Sequence, residues 1–462
     1  MTGVHQAYRF ALDPTPAQQR ALASHVGASR FAYNWGLALV KSRLDARATG
    51  EQVPVPWSLA ALRREWNQAK RQVAPWWAAN SKEAYSSGLH GLARALQSFS
   101  DAKAGRRKGQ HTGFPRFKVK GRCKESVRFT TGAIRVEPDR THVVLPRLGR
   151  IKTHESTRKL ARRLEAGTAR ILSATVTQTA GRWFVAFTCH VERADRPAIR
   201  PGAVVGVDLG VASLAVLSVP VAGLTDAQGR VANPEHLAKA LGRLRRVSRR
   251  ASRRLGPWDP ATSRRRTPSN RWLRADQARS RLHARIAAAR RDRLHKLTTT
   301  LAGRFGTLVV EDLHVAGMLA NRRLARPIAD ASWAQLRQQL AYKTTWRGGR
   351  LVVADRWYPS SKTCSGCGAV RAKLALTERV FECTTCGFVA DRDVNAARNL
   401  AALARHVAGS GPETPNGRGA DQKTRLGGQV AVKRQPGTAS AGKTGTVRPR
   451  GRAGLAEPTH AR

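Results

Sequence analysis

Residues 364–399 read CSGCGAVRAKLALTERVFECTTCGFVADRDVNAARN. Two C-x2-C pairs, Cys364/Cys367 and Cys383/Cys386, stand fifteen residues apart, which is the spacing of a structural zinc ribbon. Zn(II) takes four thiolates in a tetrahedron, and two tight turns joined by a short hairpin supply them without a large core. The alternative is a pair of disulfides. Six cysteines in 462 residues and no recognisable signal peptide favour reduced thiols and a cytoplasmic setting. Five residues past Cys386, Asp391 and Asp393 open a helix, so the ribbon delivers acids to a fixed place.

Working outward, the acids matter because the chain is otherwise overwhelmingly basic. It carries 83 Lys and Arg against 30 Asp and Glu, a net charge of +53, with 41% hydrophobic residues. The length suggests two to four domains, and the apolar content is enough for packed cores. Such an excess of arginine implies a polyanionic partner, and phosphate backbones suit its planar fork. No run of about 18 apolar residues marks a membrane span, and no lipidation signal is present.

Upstream, YRFALD (residues 7–12) alternates as a strand, and Thr15-Pro16-Ala17-Gln18 forms a capping-box start. The expected helix ends near Gly27, and Phe31, Trp35 and Leu39 space a second one. Further helical text runs from Ser58 to about Ala102, carrying Trp57, Trp66, Trp76 and Trp77, for which core is the plainer reading and base stacking the other. From Gly113 to about residue 192, short alternating runs predict a mostly antiparallel β module studded with Arg116, Lys118, Lys120, Arg122, Lys124 and Arg128. The strand at 7–12 belongs to the same sheet if the helices are an insertion.

After the Pro-rich joint at 197–201, AVVGVDLGVASLAVLS reads as strand, turn, strand. Between Lys239 and Lys296 lie 20 Lys and Arg against three acids (Asp259, Asp276, Asp292), a local charge of +17. GPWDPATSRRRTPSN (256–270) is read as a loop between two helices, the second with Leu282, Ile286, Ala289, Leu297 and Leu301 inward. Strand TLVVEDL, a helix over 332–343 and strand RLVVAD precede the ribbon. From Gly409 onward ten Lys and Arg, three acids and few large apolar residues predict a disordered basic tail. Its GTASAGKT (437–444) fits a phosphate-loop pattern but lacks the flanking strand and helix that such a loop needs.

Asp208 sits in the apolar strand VVGVDLG, where a lone carboxylate is costly without a cation or donors. Glu311 ends TLVVEDL in the equivalent place. Each acid has a plain reading: Asp208 as acceptor from a turn, Glu311 or Asp312 as a solvated strand end, Asp391 as a helix cap. Together they suit Mg(II) or Mn(II), two such ions about 4 Å apart being a known arrangement for phosphodiester hydrolysis.

GVDLGVASLAVLS, VVEDLHVAGM, DASWAQLRQQLAYK, SSKTCSGCG and CGFVADRDVNAARNL together closely resemble the TnpB (OrfB) proteins of insertion sequences, relatives of the RuvC-containing type V CRISPR effectors. LDPTPAQQRALASHVGASRFAYNWGLA resembles that family's helix-turn-helix segment and GFPRFKVKGRCKESVRFT its β module. The resemblance covers nearly everything up to about residue 405.

It implies a multidomain α/β and β protein: a RuvC-like RNase H fold nuclease domain with an inserted zinc ribbon, preceded by a β-barrel-like wedge module carrying a helical insertion. The segments are 1–14 (first strand), 15–112 (helical, recognition), 113–198 (wedge), 199–356 (nuclease, first part), 357–390 (ribbon), 391–408 (catalytic helix) and 409–462 (tail). The implied activity is RNA-guided, Mg- or Mn-dependent double-strand DNA cutting. Catalytic roles carry over to Asp208, Glu311 and, on the D-x-N-A pattern, Asp393 rather than Asp391, with structural zinc on Cys364, Cys367, Cys383 and Cys386. The implied partners are a guide RNA from the element's own end, the DNA target and the element's separate transposase. Competing readings are a non-cutting zinc-ribbon regulator of transposition and a transposase proper.

Overall fold

The structure, a computed structural model, describes residues 2–107, 112–193, 196–261, 264–265, 268–375 and 377–409, with short pieces at 424–425 and 428–429. The expectation of a disordered tail and the GTASAGKT stretch fall outside the described residues. In chain order, β1 (Thr2–Asp13) leads to α1 (Pro16–Ala48), α2 (Leu59–Val73) and α3 (Lys82–Lys103). Then come β2 (Ser126–Phe129), β3 (Arg135–Val136), β4 (His142–Leu145), β5 (Gly149–Thr153), α4 (Arg158–Glu165), β6 (Ala169–Thr179) and β7 (Arg182–Arg193). The second half runs β8 (Arg200–Asp208), β9 (Ser213–Leu217), β10 (Arg230–Ala232), α5 (His236–Ser252), β11 (Trp258–Asp259), β12 (Arg264–Arg265) and α6 (Asn270–Arg304). It ends with β13 (Phe305–Glu311), α7 (Val315–Met318), α8 (Ala325–Ala331), α9 (Trp333–Thr345), β14 (Arg350–Ala354), β15 (Val380–Glu382), β16 (Val389–Asp391) and α10 (Arg392–Gly409).

This mixed α/β chain divides into two compact units. The first joins residues 1–202, 234–306 and 321–350; the second joins 203–233, 307–320 and 351–462. Helices α5, α6, α8 and α9 thus group with the first unit.

In the first unit a seven-stranded sheet runs β2-β6-β7-β1-β5-β4-β3. β1 pairs antiparallel with β7 over Thr2↔Arg193 to Ala11↔Phe184 and with β5 at Leu12↔Thr153, so α1–α3 interrupt the sheet in sequence, not in space. Thr15 and Gln18 cap α1 reciprocally, with Pro16 beside them. The expected break at Gly27 does not occur. A glycine inside a helix costs about 1 kcal/mol against alanine. Burial of Leu22, Val26, Ala28, Ala32, Tyr33 and Leu37 along the same helix outweighs it. Trp66 is core, stacked on Tyr85 with ring centroids 4.9 Å apart, whereas Trp76 stays 45% exposed.

The second basic helix also departs from expectation at one position. On α6, Leu282, Ile286, Leu294, Leu297 and Leu301 are buried, but Ala289 is exposed; Leu294 takes the inward place. The inner stripe follows 3.6-residue periodicity past Ile286, and Ala289 falls outside it. Asp330, buried at the end of α8, accepts hydrogen bonds from the Leu237 and Ala238 amides and so satisfies the N-terminus of α5 from another helix.

The second unit is built on a five-stranded sheet ordered β10-β9-β8-β13-β14, with β8/β9 and β9/β10 antiparallel. Val309, Ala354, Leu400 and Ala404 form one apolar cluster, which fastens α10 to the sheet. Contact is closest at Gly206 of β8. A Cβ placed there would lie 1.9 Å from the Ala397 carbonyl oxygen, so only glycine lets the α10 backbone come this near. Gly206→Val is expected to displace α10, leaving a folded protein that binds RNA but cuts DNA at least about tenfold more slowly, read in a cleavage time course beside a melting curve.

Candidate active site and cysteine ribbon

β8 and β13 are neighbours, and each delivers its carboxylate at its last residue: Asp208 after the buried run Val205–Val207, Glu311 after Leu308–Val310. Asp393 enters from the first turn of α10. The charges of the other two acids both act on Asp208. Burial pushes the Asp208 carboxyl well above the usual carboxylate range, and the charges of Glu311 and Asp393 push it further, with Arg392 opposing them. Arg392 lies 3.4 Å from Asp393 and is the cation at this cluster that the sequence reading missed.

The neighbouring acids are spoken for. Asp391 Oδ1 accepts from the backbone N–H groups of Asp393 and Val394, as a helix cap does, while its Oδ2 takes a 2.6 Å ion pair from Arg230. Asp312 is paired with Arg356 at 2.6 Å. Asp208, Glu311 and Asp393 stand at two strand ends and a helix start, with Asp393 beside Arg392. Three partly buried carboxylates, hard oxygen donors all, fit a divalent cation such as Mg(II) or Mn(II) by charge and chemistry.

The four cysteine sulfurs lie within 4.8 Å of one another. Cys364 and Cys386 Sγ are 3.7 Å apart, and Cys367 and Cys383 Sγ 3.6 Å. A tetrahedron with Zn–S bonds of about 2.3 Å spaces its sulfurs about 3.8 Å apart, so the cluster is compatible with zinc and far wider than a disulfide. Both knuckles close alike: the Gly368 and Gly387 amides donate to the Cys364 and Cys383 carbonyls, and both glycines adopt positive φ (82° and 71°). Backbone N–H groups of Cys386 and Thr385 donate to the Cys383 sulfur, which holds that thiol below its ordinary range and favours the thiolate a metal needs. β15 and β16 form the hairpin behind the second knuckle, with Val380 opposite Asp391.

In the first unit, α5 and the turn after it present Arg246, Arg249, Arg250, Arg253 and Arg254 around a cleft of about 470 Å³. Among the described residues no carboxylate lines it. Like charges gathered at one place are costly alone and suit phosphate.

Carboxylates at adjoining strand ends, a four-cysteine ribbon in the same unit and a strongly basic body occur together in this chain. Residues 186–322 match the family model described as "Probable transposase" (OrfB of IS605), 333–400 the Cas12f1-like TNB domain and 1–48 the family's helix-turn-helix domain, which here is one strand and one unbroken helix. A Mycobacterium tuberculosis protein whose assigned name is RNA-guided DNA endonuclease is 41% identical over 91% of this chain and 92% of its own length. InsQ of Escherichia coli, under the same assigned name, is 29% identical over 89% and 96%. The chain belongs to the TnpB/OrfB family of insertion-sequence proteins. A Cas12f1–guide RNA–target DNA complex superposes at TM-score 0.44 and 13% identity, covering 86% of this chain and 99% of that one.

Proposed function

We propose that the protein is a transposon-encoded RNA-guided DNA endonuclease that hydrolyses phosphodiester bonds at Asp208, Glu311 and Asp393, with the cysteine ribbon holding structural zinc. The observation that carries this reading is the placing of three carboxylates at two adjoining strand ends and a helix start, with the charges of Glu311 and Asp393 both acting on Asp208. Bound there, Mg(II) or Mn(II) would activate water and stabilise the leaving oxygen. Asp208 and Glu311 would hold the cations from the rigid sheet, Asp393 from α10, and Arg392 would keep part of the charge balanced beside them. A RuvC-like nuclease domain assembled around the five-stranded sheet accounts for this placement. The relatives' names support a guide RNA and a DNA target for this chain, and the arginine cleft supports contact with a phosphate backbone. A cytoplasmic setting agrees with reduced thiols; among the described residues no helix is long and apolar enough to cross a membrane.

The test is the RNA that copurifies. A discrete transcript is expected, and replacing its guide segment should redirect a double-strand cut to the new complementary site. Random cellular RNA with no programmable cut would return the protein to charge-driven binding and a regulatory role.

A further inference from the structure

The loop that leads into the ribbon does more than carry Cys364. Ser360, only 4% exposed, donates its hydroxyl to Glu311 Oε1 at 2.5 Å. Glutamate has more rotatable bonds than aspartate, so its carboxylate needs such a partner to stay in one place, and a serine hydroxyl occupies one oxygen while leaving the other free.

Ser360 is itself held from the opposite side. Asn399 on α10 donates its side-chain amide to the carbonyls of Ser360 (2.8 Å) and Thr363 (2.6 Å). One turn earlier, Asn395 donates to the Thr363 carbonyl at 2.7 Å and accepts the Ser365 amide at 2.9 Å. Both asparagines are buried, at 0% and 4% exposure, and lie four residues apart on one face of the helix whose first turn bears Asp393. Cys364 falls within the gripped segment. Helix, loop, first knuckle and the carboxylate of Glu311 are thus joined by a continuous set of hydrogen bonds.

We infer that Ser360, clamped by Asn395 and Asn399, is a positioning residue that sets the Glu311 carboxylate against Asp208 and Asp393, and that the ribbon's contribution to cutting passes through this clamp. The inference rests on the carboxylate site proposed above. Neither Ser360 nor the asparagines meet substrate in this account; they act through Glu311.

The experiment compares the zinc-loaded full chain with its copurified RNA as wild type, Ser360→Ala, Ser360→Thr and Asp208→Ala. It reads single-turnover DNA cleavage, binding of Mn(II) alone by loss of free-ion electron paramagnetic resonance signal, and melting temperature. Ser360→Ala is expected to slow cutting and weaken Mn(II) binding by about 10- to 100-fold, with RNA content unchanged, and Ser360→Thr to recover most of both. In a Glu311→Gln background, Ser360→Ala should no longer alter Mn(II) binding. Wild-type cutting and Mn(II) affinity in Ser360→Ala would overturn the clamp while leaving the site intact, provided Asp208→Ala is dead. Cutting retained in Asp208→Ala would overturn the site itself. If Ser360→Ala lowers the melting temperature, Ser360→Thr and the Glu311→Gln comparison decide, because a general packing defect would weaken Mn(II) binding equally in both backgrounds.

Discussion

Asp208→Ala is expected to lower DNA cutting on the order of 10³-fold or more while guide RNA and target DNA remain bound, measured by cleavage kinetics beside a filter-binding assay. The size follows from the position. The Asp208 carboxyl is already driven upward by burial and by the charges of Glu311 and Asp393. Without a cation that arrangement is unfavourable; with one, the same repulsion becomes the binding force. Removing this carboxylate therefore removes a ligand and lowers the negative charge that would draw a cation to the other two. A second consequence separates this account from a structural role. Asp208→Asn relieves the repulsion, so the cation-free protein should melt at the same temperature or higher, as strained functional sites do when neutralised. A sharp fall in melting temperature together with retained cutting would make Asp208 an ordinary acceptor of backbone hydrogen bonds.

Local signals made much of this legible in the sequence. Strand periodicity and glycine punctuation located β8, β13 and β14, and the odd presence of Asp208 and Glu311 at the ends of apolar runs marked them before any geometry was known. The knuckle spacing marked the four cysteines. Gly27 misled because a helix-breaking residue is judged alone, whereas the apolar face of α1 acts along 33 residues. The clamp was not legible at all. Ser360 and Asn399 are 39 positions apart and chemically unremarkable, and their roles arise only when α10 is packed onto β8 at Gly206. Arg230 was equally silent: its pairing with Asp391 across 161 positions is what separates the cap from the facing carboxylate. Long-range hydrogen bonds between polar residues leave no periodic trace.

Stripping zinc, or substituting Cys383→Ser, is expected to unfold the ribbon and reduce cutting to background while the rest of the chain stays folded. The buried apolar cluster here consists of Cys364, Phe381 and Cys383, with Ala369, Leu374 and Phe388 partly covered, and two of its three buried members are thiols. So small a core cannot hold about 30 residues in shape without a metal or cross-link. Structural zinc supplies about 10–16 kcal/mol of apparent binding energy at neutral pH, all of it conditional on four thiolates. Titration with a mercurial should release one zinc per chain, and hydrogen exchange should then rise across residues 360–391 but not across β8 or β13. Cutting should fall with it, because the Ser360 loop that holds Glu311 runs directly into Cys364. A zinc-free protein that still cuts at the wild-type rate would mean the hairpin keeps its shape by packing alone. Thiols that resist alkylation until reduced would mean the cysteines are paired as disulfides, which sulfur separations of 3.6 and 3.7 Å do not accommodate.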